Sequence, residues 1–116
     1  MKARQVNDVA ILAPHGWLMG DRETDQLEIA IRKLLESGNR RLILDMIDVR
    51  HMNSAAIGML VACRSNYADH QGAIKLCHVD DKIESMLVIT KLVQLFDVHA
   101  TEREALESFE ALKATK

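Results

Sequence analysis

The chain alternates between short, nearly continuous apolar runs and longer stretches in which apolar residues recur at helical spacing. The apolar runs are rich in leucine and β-branched residues, and they predict strands at 9–12, 17–19, 42–47, 73–79 and 95–99. Residues 42–47 are apolar at almost every position, which is typical of a strand buried on both faces of a sheet. Helices packed on both sides of the sheet would bury such a strand.

Helices are predicted between these strands, and their ends are recognisable. The first helix has one apolar face, formed by residues three and four positions apart: Leu27, Ala30, Ile31, Leu34 and Leu35. Gly38 would end this helix, because glycine adopts the left-handed conformation at low cost. A second helix follows Asn53 or Ser54, since either side chain can cap its first turn, and it closes at Gln71-Gly72.

Two capping boxes, in which a glutamate follows a capping residue by three positions, open the last two predicted helices at 81–84 and 101–104. Residues 14–16 predict a turn that joins the first two strands into a hairpin, and residues 48–52 predict a loop. The resulting order is β-β-α-β-α-β-α-β-α. It predicts a single α/β domain over residues 1–116, with a mixed sheet of four to five strands and about four flanking helices.

Composition and charge narrow the classes of function. The net charge is −2, with acidic and basic residues interspersed, so a nucleic-acid-binding surface is not expected. Cys63 and Cys77 are the only cysteines, and both sit in apolar segments, which predicts two free, buried thiols. Residues 1–8 contain no apolar core of a signal peptide, and no apolar run approaches the roughly 18 residues of a membrane span. We therefore expect a cytoplasmic protein without a membrane span.

Motifs for catalysis or cofactor binding are absent from the sequence. The 5 histidines are scattered, and none forms a pair with helical metal-ligand spacing. Cys77 and His78 are neighbours in a predicted strand, so we expect them to point to opposite faces and not to share a metal. Glycine-rich phosphate loops and nucleophile elbows are also absent. We expect no catalytic residue, no metal and no cofactor, and a small enzyme is the least favoured interpretation.

One segment does carry chemistry. Asn53-Ser54-Ala55-Ala56-Ile57-Gly58 begins a helix directly after a short loop. Hydroxyl groups there lie near unpaired backbone N–H groups and the positive end of the helix dipole, so a phosphate would be tolerated. It would add roughly two negative charges to an exposed surface, which could repel a partner and leave the fold unchanged. The alternative is that Asn53 or Ser54 only caps the helix.

The segment from Leu42 to Phe109 resembles the STAS domain of anti-sigma-factor antagonists. The matching features are a strand ending in an acid at 42–45, a loop, the helix-start motif, the strand at 74–77 and the stretch at 89–96. In that family the motif reads Asp-Ser-Ser/Thr-Gly-Leu-Gly, and here it is Asn53-Ser54-Ala55-Ala56-Ile57-Gly58. The element order predicted above is also that of the family.

The resemblance implies a protein-binding switch. Such antagonists bind a serine-kinase anti-sigma factor, which phosphorylates the second hydroxyl of the motif, and a metal-dependent serine phosphatase reverses the modification. Here Ala55 occupies the second hydroxyl position, while Asn53 and Ala56 replace the aspartate and the first glycine. The resemblance therefore leaves Ser54 as the candidate phosphate acceptor. It implies a partner-binding surface made by Asn53, Ser54, Ala55, Ile57 and Gly58.

A second interpretation stays open within the same family. A STAS subunit that is not phosphorylated could act as a scaffold in a stressosome-like complex or in a lipid-transport ATPase. Ala55 and Ala56 in the motif favour this alternative. Family analogy also leaves a nucleotide ligand open, although no residue pattern in the sequence points to one.

Overall fold

The structure is a computed structural model that describes residues 1–89 and 91–114, so residues 90, 115 and 116 of the predicted domain lie outside it. Its strands are β1 (Lys2–Val6), β2 (Val9–Ala13), β3 (His15–Leu18), β4 (Arg41–Asp45), β5 (Asp48–Met52), β6 (Ala73–Cys77) and β7 (Asp97–His99). Its α-helices are α1 (Arg22–Glu36), α2 (Ser54–Asp69), α3 (Asp81–Ile89) and α4 (Glu102–Ala114), and a 3-10 turn spans Leu92–Leu95.

The main sheet has five strands in the order β1-β2-β4-β6-β7. β1 is antiparallel to β2, whereas β2, β4, β6 and β7 pair in parallel. Parallel neighbours need crossover connections, and α1, α2 and α3 lie in those connections along the chain. The predicted α/β class, mixed sheet and flanking helices are confirmed.

The core has two layers because successive side chains of a strand point to opposite faces. One face of the sheet buries Leu42 and Leu44 together with residues of α1, α2 and α3. The other face buries Ile43 and Cys77 against Phe109 of α4. Both faces of β4 are therefore covered, which explains its uninterrupted apolar sequence.

The sequence did not predict strands β1 and β5, and the predicted pairing of β3 with β2 is wrong. β1 was missed because it is an edge strand whose first four residues are exposed, so it shows no apolar alternation. β3 was predicted to form a hairpin with β2, but it pairs in parallel with β5 in a separate two-stranded sheet. Residues 48–52, predicted as a loop, form β5.

The predicted helix ends are largely confirmed. α1 ends at Glu36, and Gly38 follows it with a φ of 102°. Thr101 caps α4 as predicted, since its Oγ1 accepts from Glu104 N at 3.1 Å, while the Glu104 carboxylate of the predicted capping box accepts from the backbone N–H of Ala100 at 3.3 Å. At α3 the acceptor is Asp80 Oδ1, which receives the backbone N–H of Lys82 at 2.7 Å, and not Asp81 as the capping-box pattern predicted.

Candidate functional site

Asn53 fixes the start of α2. Its Oδ1 accepts from the backbone N–H of Ala56 at 3.1 Å, which makes Asn53 the N-cap. Its Nδ2 donates to the carbonyl of Met19 at 2.8 Å, and its backbone N–H donates to the carbonyl of Leu18 at 3.1 Å. Of the two predicted capping residues, Asn53 is the one used, and it ties the helix to the chain that leaves β3.

The loop after β3 packs directly against the first turn of α2. Gly20 has a φ of 80°, and a Cβ atom built on it would lie 2.7 Å from the Cβ of Ala55. The backbone N–H of Gly20 donates to the buried hydroxyl of Thr24 at 2.9 Å. Because this position needs both a left-handed backbone and no side chain, glycine alone fits without strain.

Ser54 and Ala55 stand exposed on the first turn of this fixed helix. The Ser54 hydroxyl has no hydrogen-bond partner among the residues that the structure describes. The first turn of α2 contains no acidic residue that would repel an incoming negative charge. Ser54 is thus an accessible hydroxyl at the N-terminus of the helix, where the first backbone N–H groups have no intrahelical acceptor, and it is not the cap.

The two remaining predicted residues differ in accessibility. Gly58 is exposed, and a Cβ built there meets no atom within 4 Å. Ile57 is only 4% exposed and belongs to the core between the sheet and the helices. The expectation that Ile57 offers its side chain to a partner is therefore wrong: in a helix fixed by Asn53, this position faces inward.

Trp17 and His51 extend the exposed area beside the start of α2, and sequence reasoning missed them. They are paired in register between β3 and β5, with ring centroids 5.5 Å apart. Trp17 is 62% exposed, whereas tryptophan is highly buried on average in folded proteins. We call the exposed set around the start of α2 the entry surface; it comprises Trp17, Gly20, His51, Ser54, Ala55 and Gly58.

A second group of polar side chains gathers at the ends of β4 and β6. Oxygen, sulfur and nitrogen atoms of Asp45, Cys77 and His78 all lie within 4.8 Å of one another. The expectation that Cys77 and His78 face opposite sides is wrong, because β6 ends at Cys77 and His78 adopts a φ of 55°. Alternation applies only inside a strand, and the left-handed residue turns its ring toward Asp45.

Both cysteines are free and buried, as predicted. Burial raises the pKa of the Cys63 thiol to about 11. Burial and, second, the nearby Asp45 carboxylate raise the pKa of the Cys77 thiol to about 12. Both groups therefore carry a proton at neutral pH in the metal-free protein. Within residues 1–89 and 91–114, no helix is both long and apolar enough to cross a bilayer.

The chain is similar in sequence to curated proteins, and the similarity extends over most of its length. A Thermotoga maritima protein named as an anti-sigma factor antagonist is 26% identical over 102 residues, covering 88% of this chain and 90% of that protein. A Bordetella bronchiseptica protein named as the anti-sigma factor antagonist BtrV is 24% identical over 88 residues, covering 76% of this chain and 75% of the relative.

Solved structures share the fold. A crystal structure of a Thermotoga maritima protein named as an anti-sigma factor antagonist aligns with a TM-score of 0.85 at 24% identity, covering 92% of both chains. The unphosphorylated anti-sigma factor antagonist SpoIIAA aligns with a TM-score of 0.73 at 17% identity, covering 94% of this chain and 96% of its own. The family model described as the STAS domain matches residues 1–105, and the chain therefore belongs to the STAS domain family.

Proposed function

We propose that this chain is an anti-sigma-factor antagonist, a non-enzymatic cytoplasmic protein that binds a serine-kinase anti-sigma factor through its entry surface. The names of its curated relatives support the general role. The observation that carries the proposal is the first turn of α2, where Ser54 and Ala55 are exposed on a helix start held by Asn53. The partner-binding surface comprises Ser54, Ala55 and Gly58, with Asn53 as the residue that positions them.

The entry surface has the properties of a protein-docking site. Trp17 supplies a large exposed aromatic group, a residue type enriched among the anchors of interfaces. Gly58 is exposed, and the space where a side chain would lie is open, so a partner can approach the backbone of α2 closely there. The contacts of Asn53 with Leu18 and Met19 hold the helix start against the loop, which reduces the ordering cost of binding.

Ser54 provides the switch in this proposal. A phosphate on its hydroxyl would lie beside the unpaired N–H groups of the first turn and at the positive end of the helix dipole. The modification would add charge where the partner docks, and Ser54 makes no contact that the fold requires among the described residues. A serine phosphatase would then return the chain to its binding state.

A second candidate function, that of a scaffold subunit which is not phosphorylated, is favoured by Ala55. Ala55 stands at the position where the family motif carries its usual phosphate acceptor, which suits a scaffold subunit that is never modified. The fold does not separate the two functions. The STAS domain of a SulP transporter from Vibrio cholerae aligns with a TM-score of 0.76 at 17% identity. We favour the antagonist because the relatives named as antagonists are 26% and 24% identical to this chain, whereas the transporter domain is 17% identical.

The test is capture of partners by the immobilised protein from an extract of its source organism, followed by binding measurements with the purified partner. We expect a serine-kinase anti-sigma factor to be captured and to bind in a one-to-one complex. Gly58→Trp should abolish binding and leave the fold intact, because the substituted side chain enters open space on the entry surface. Arg103→Trp, at an exposed position on α4, is the matched control and should bind normally. Capture of a transporter or a multi-subunit scaffold, with no kinase, would favour the second function.

A further inference from the structure

The carboxyl ends of β4 and β6 bring two potential metal ligands together outside the entry surface. The strands are parallel neighbours, and Asp45 is paired in register with Cys77. The backbone N–H of Met46 donates to the carbonyl of Cys77 at 2.9 Å, which holds the two strand ends together beyond the sheet. Ligands of open α/β sheets bind at this edge, where side chains from adjacent strand ends converge.

His78 completes the group. Its left-handed backbone, with a φ of 55°, directs the ring toward Asp45, and Nδ1 lies 2.9 Å from Oδ1 of that carboxylate. The same carboxylate oxygen accepts the backbone N–H of Ile47 at 3.1 Å, which orients it. An oxygen, a sulfur and a nitrogen donor, each from a different residue type, thus stand within 4.8 Å of one another.

We propose that Asp45, Cys77 and His78 form a binding site for a zinc ion. A tetrahedral zinc ion with bonds of about 2.0–2.3 Å places its donor atoms about 3.5 Å apart, so rotamer adjustments within this group suffice to enclose it. A thiolate and an imidazole select zinc over magnesium and calcium, which take oxygen ligands. The Cys77 thiol loses its proton as the zinc–sulfur bond forms, and that proton passes to solvent.

The surroundings leave room for a fourth ligand and balance the charge. The His78 side chain is 30% exposed, so one side of the group is open to water. Asp45 also lines a cavity of about 190 Å³, together with Lys2, Arg4 and Asp48. Lys2 and Arg4 are the cationic side chains of this lining. Their charge is offset by Glu102, which pairs with Arg4, and by the carboxylate of Asp48. Zinc with one carboxylate, one thiolate and a neutral imidazole carries no net charge, which suits the apolar cluster around Cys77.

The experiment titrates zinc into the full chain after removal of metal and of any affinity tag, with calorimetry as the readout. We expect one zinc ion per chain and a rise in Tm on saturation. Cobalt(II) added in place of zinc should give the near-ultraviolet absorption of a cobalt–thiolate bond. Asp45→Asn, Cys77→Ala and His78→Asn should each weaken zinc binding at least about tenfold. Asparagine keeps a hydrogen-bond acceptor at position 45 and tolerates the left-handed backbone at position 78.

Cys63→Ala is the matched control, because it removes the other buried thiol, which lies in the opposite core layer. It should bind zinc and cobalt as the unmodified protein does. The proposal is overturned if zinc does not bind at one equivalent, if cobalt shows no thiolate absorption, or if Cys77→Ala retains full affinity. Circular dichroism on each variant identifies any that fails to fold. Asp45→Asn, which preserves the hydrogen bond to Ile47, then decides the outcome.

Discussion

Gly20 and Ala55 approach each other so closely that a Cβ atom on Gly20 would lie 2.7 Å from the Cβ of Ala55. Gly20→Ala must therefore displace the loop from α2, in addition to holding a side chain at a φ of 80°. We expect a loss of about 2–4 kcal/mol in the free energy of unfolding, of which the left-handed backbone accounts for about 1–2 kcal/mol. Urea denaturation followed by circular dichroism measures it.

Gly16→Ala separates the two contributions. Gly16 has nearly the same conformation, with a φ of 86°, but a Cβ built there meets nothing within 4 Å. This variant should lose only the conformational part, about 1–2 kcal/mol. Equal losses at Gly16 and Gly20 would mean that the contact with Ala55 does not constrain the loop.

Asn53 and Ser54 should respond very differently to alanine. Asn53→Ala removes the cap on Ala56 and the bond to the Met19 carbonyl, and should cost about 1–2 kcal/mol. Ser54→Ala should change stability by less than about 0.5 kcal/mol, because the side chain is exposed and is not the cap. A comparable loss at Ser54 would show that its hydroxyl supports the helix start, and would weaken its assignment as a free acceptor.

The main sheet could be predicted from the sequence because its central strands are buried on both faces and appear as apolar runs. β5 could not be predicted, because a β-bulge in its pairing with β3 disrupts the alternation of buried and exposed residues. Val49 and Met52 are buried while the residues between them are exposed, since the register with β3 shifts between Gly16 and Trp17. A spacing of three between buried residues does not match the period of two expected of a strand.

The residues of the entry surface could be predicted only in part, because some of them depend on contacts between distant segments of the chain. Ser54, Ala55 and Gly58 were implied by the resemblance to the family motif, and the position of that motif at a helix start is a local property of the sequence. Trp17 and His51 depend on the pairing of β3 with β5, which joins segments more than 30 residues apart along the chain. The assignment of Ile57 to the surface failed because the rotation of α2 is set by Asn53 and the sheet, and the motif alone does not fix it.

The contact between Lys75 and Asp97 makes the free energy of unfolding depend on pH. Its ammonium group is buried, donates to Asp97 Oδ2 and to Ser108 Oγ, and lies 4.7 Å from the centre of the Phe109 ring. Burial alone would raise the pKa of Asp97. The hydrogen bonds from Lys75 and His99 outweigh it, and they hold that pKa below the ordinary value of 3.8.

The folded protein with a depressed Asp97 pKa binds fewer protons than the unfolded chain just below pH 4, so acid favours unfolding. The contribution of Asp97 is therefore complete above about pH 4 and is lost as the pH falls through the folded-state pKa. Asp97→Asn should be less stable than the unmodified protein at pH 7, and the difference should shrink by pH 3. Urea denaturation at both values tests this. A difference that is independent of pH would show that the carboxylate charge is not involved.

Both thiols should be free and slow to react. Cys63 and Cys77 are buried, and each has a pKa well above neutrality, so the reactive thiolate is scarce as well as inaccessible. Titration with a chromogenic disulfide reagent should find two thiols in the denatured, unreduced protein and almost none in the native protein within minutes. Rapid native labelling of Cys63 would indicate that α2 opens locally.

Ser54 should be the residue that the partner kinase modifies. Its hydroxyl is exposed, has no hydrogen-bond partner among the residues described, and lies on the first turn of a helix without acidic neighbours. Incubation with the kinase and ATP should add one phosphate, located on Ser54 by mass spectrometry, and the complex should dissociate because the new charge lies in the interface. Ser54→Ala should bind the kinase and stay bound in ATP. In the variant S54A/A55S, phosphorylation should return at position 55, where the family motif carries its usual acceptor. The contrary outcome has two parts: the unmodified protein binds the kinase tightly, takes up no phosphate and remains bound in ATP, whereas S54A/A55S is phosphorylated and released. That result would show that the chain is a constitutive antagonist, whose switch was lost with the hydroxyl at position 55.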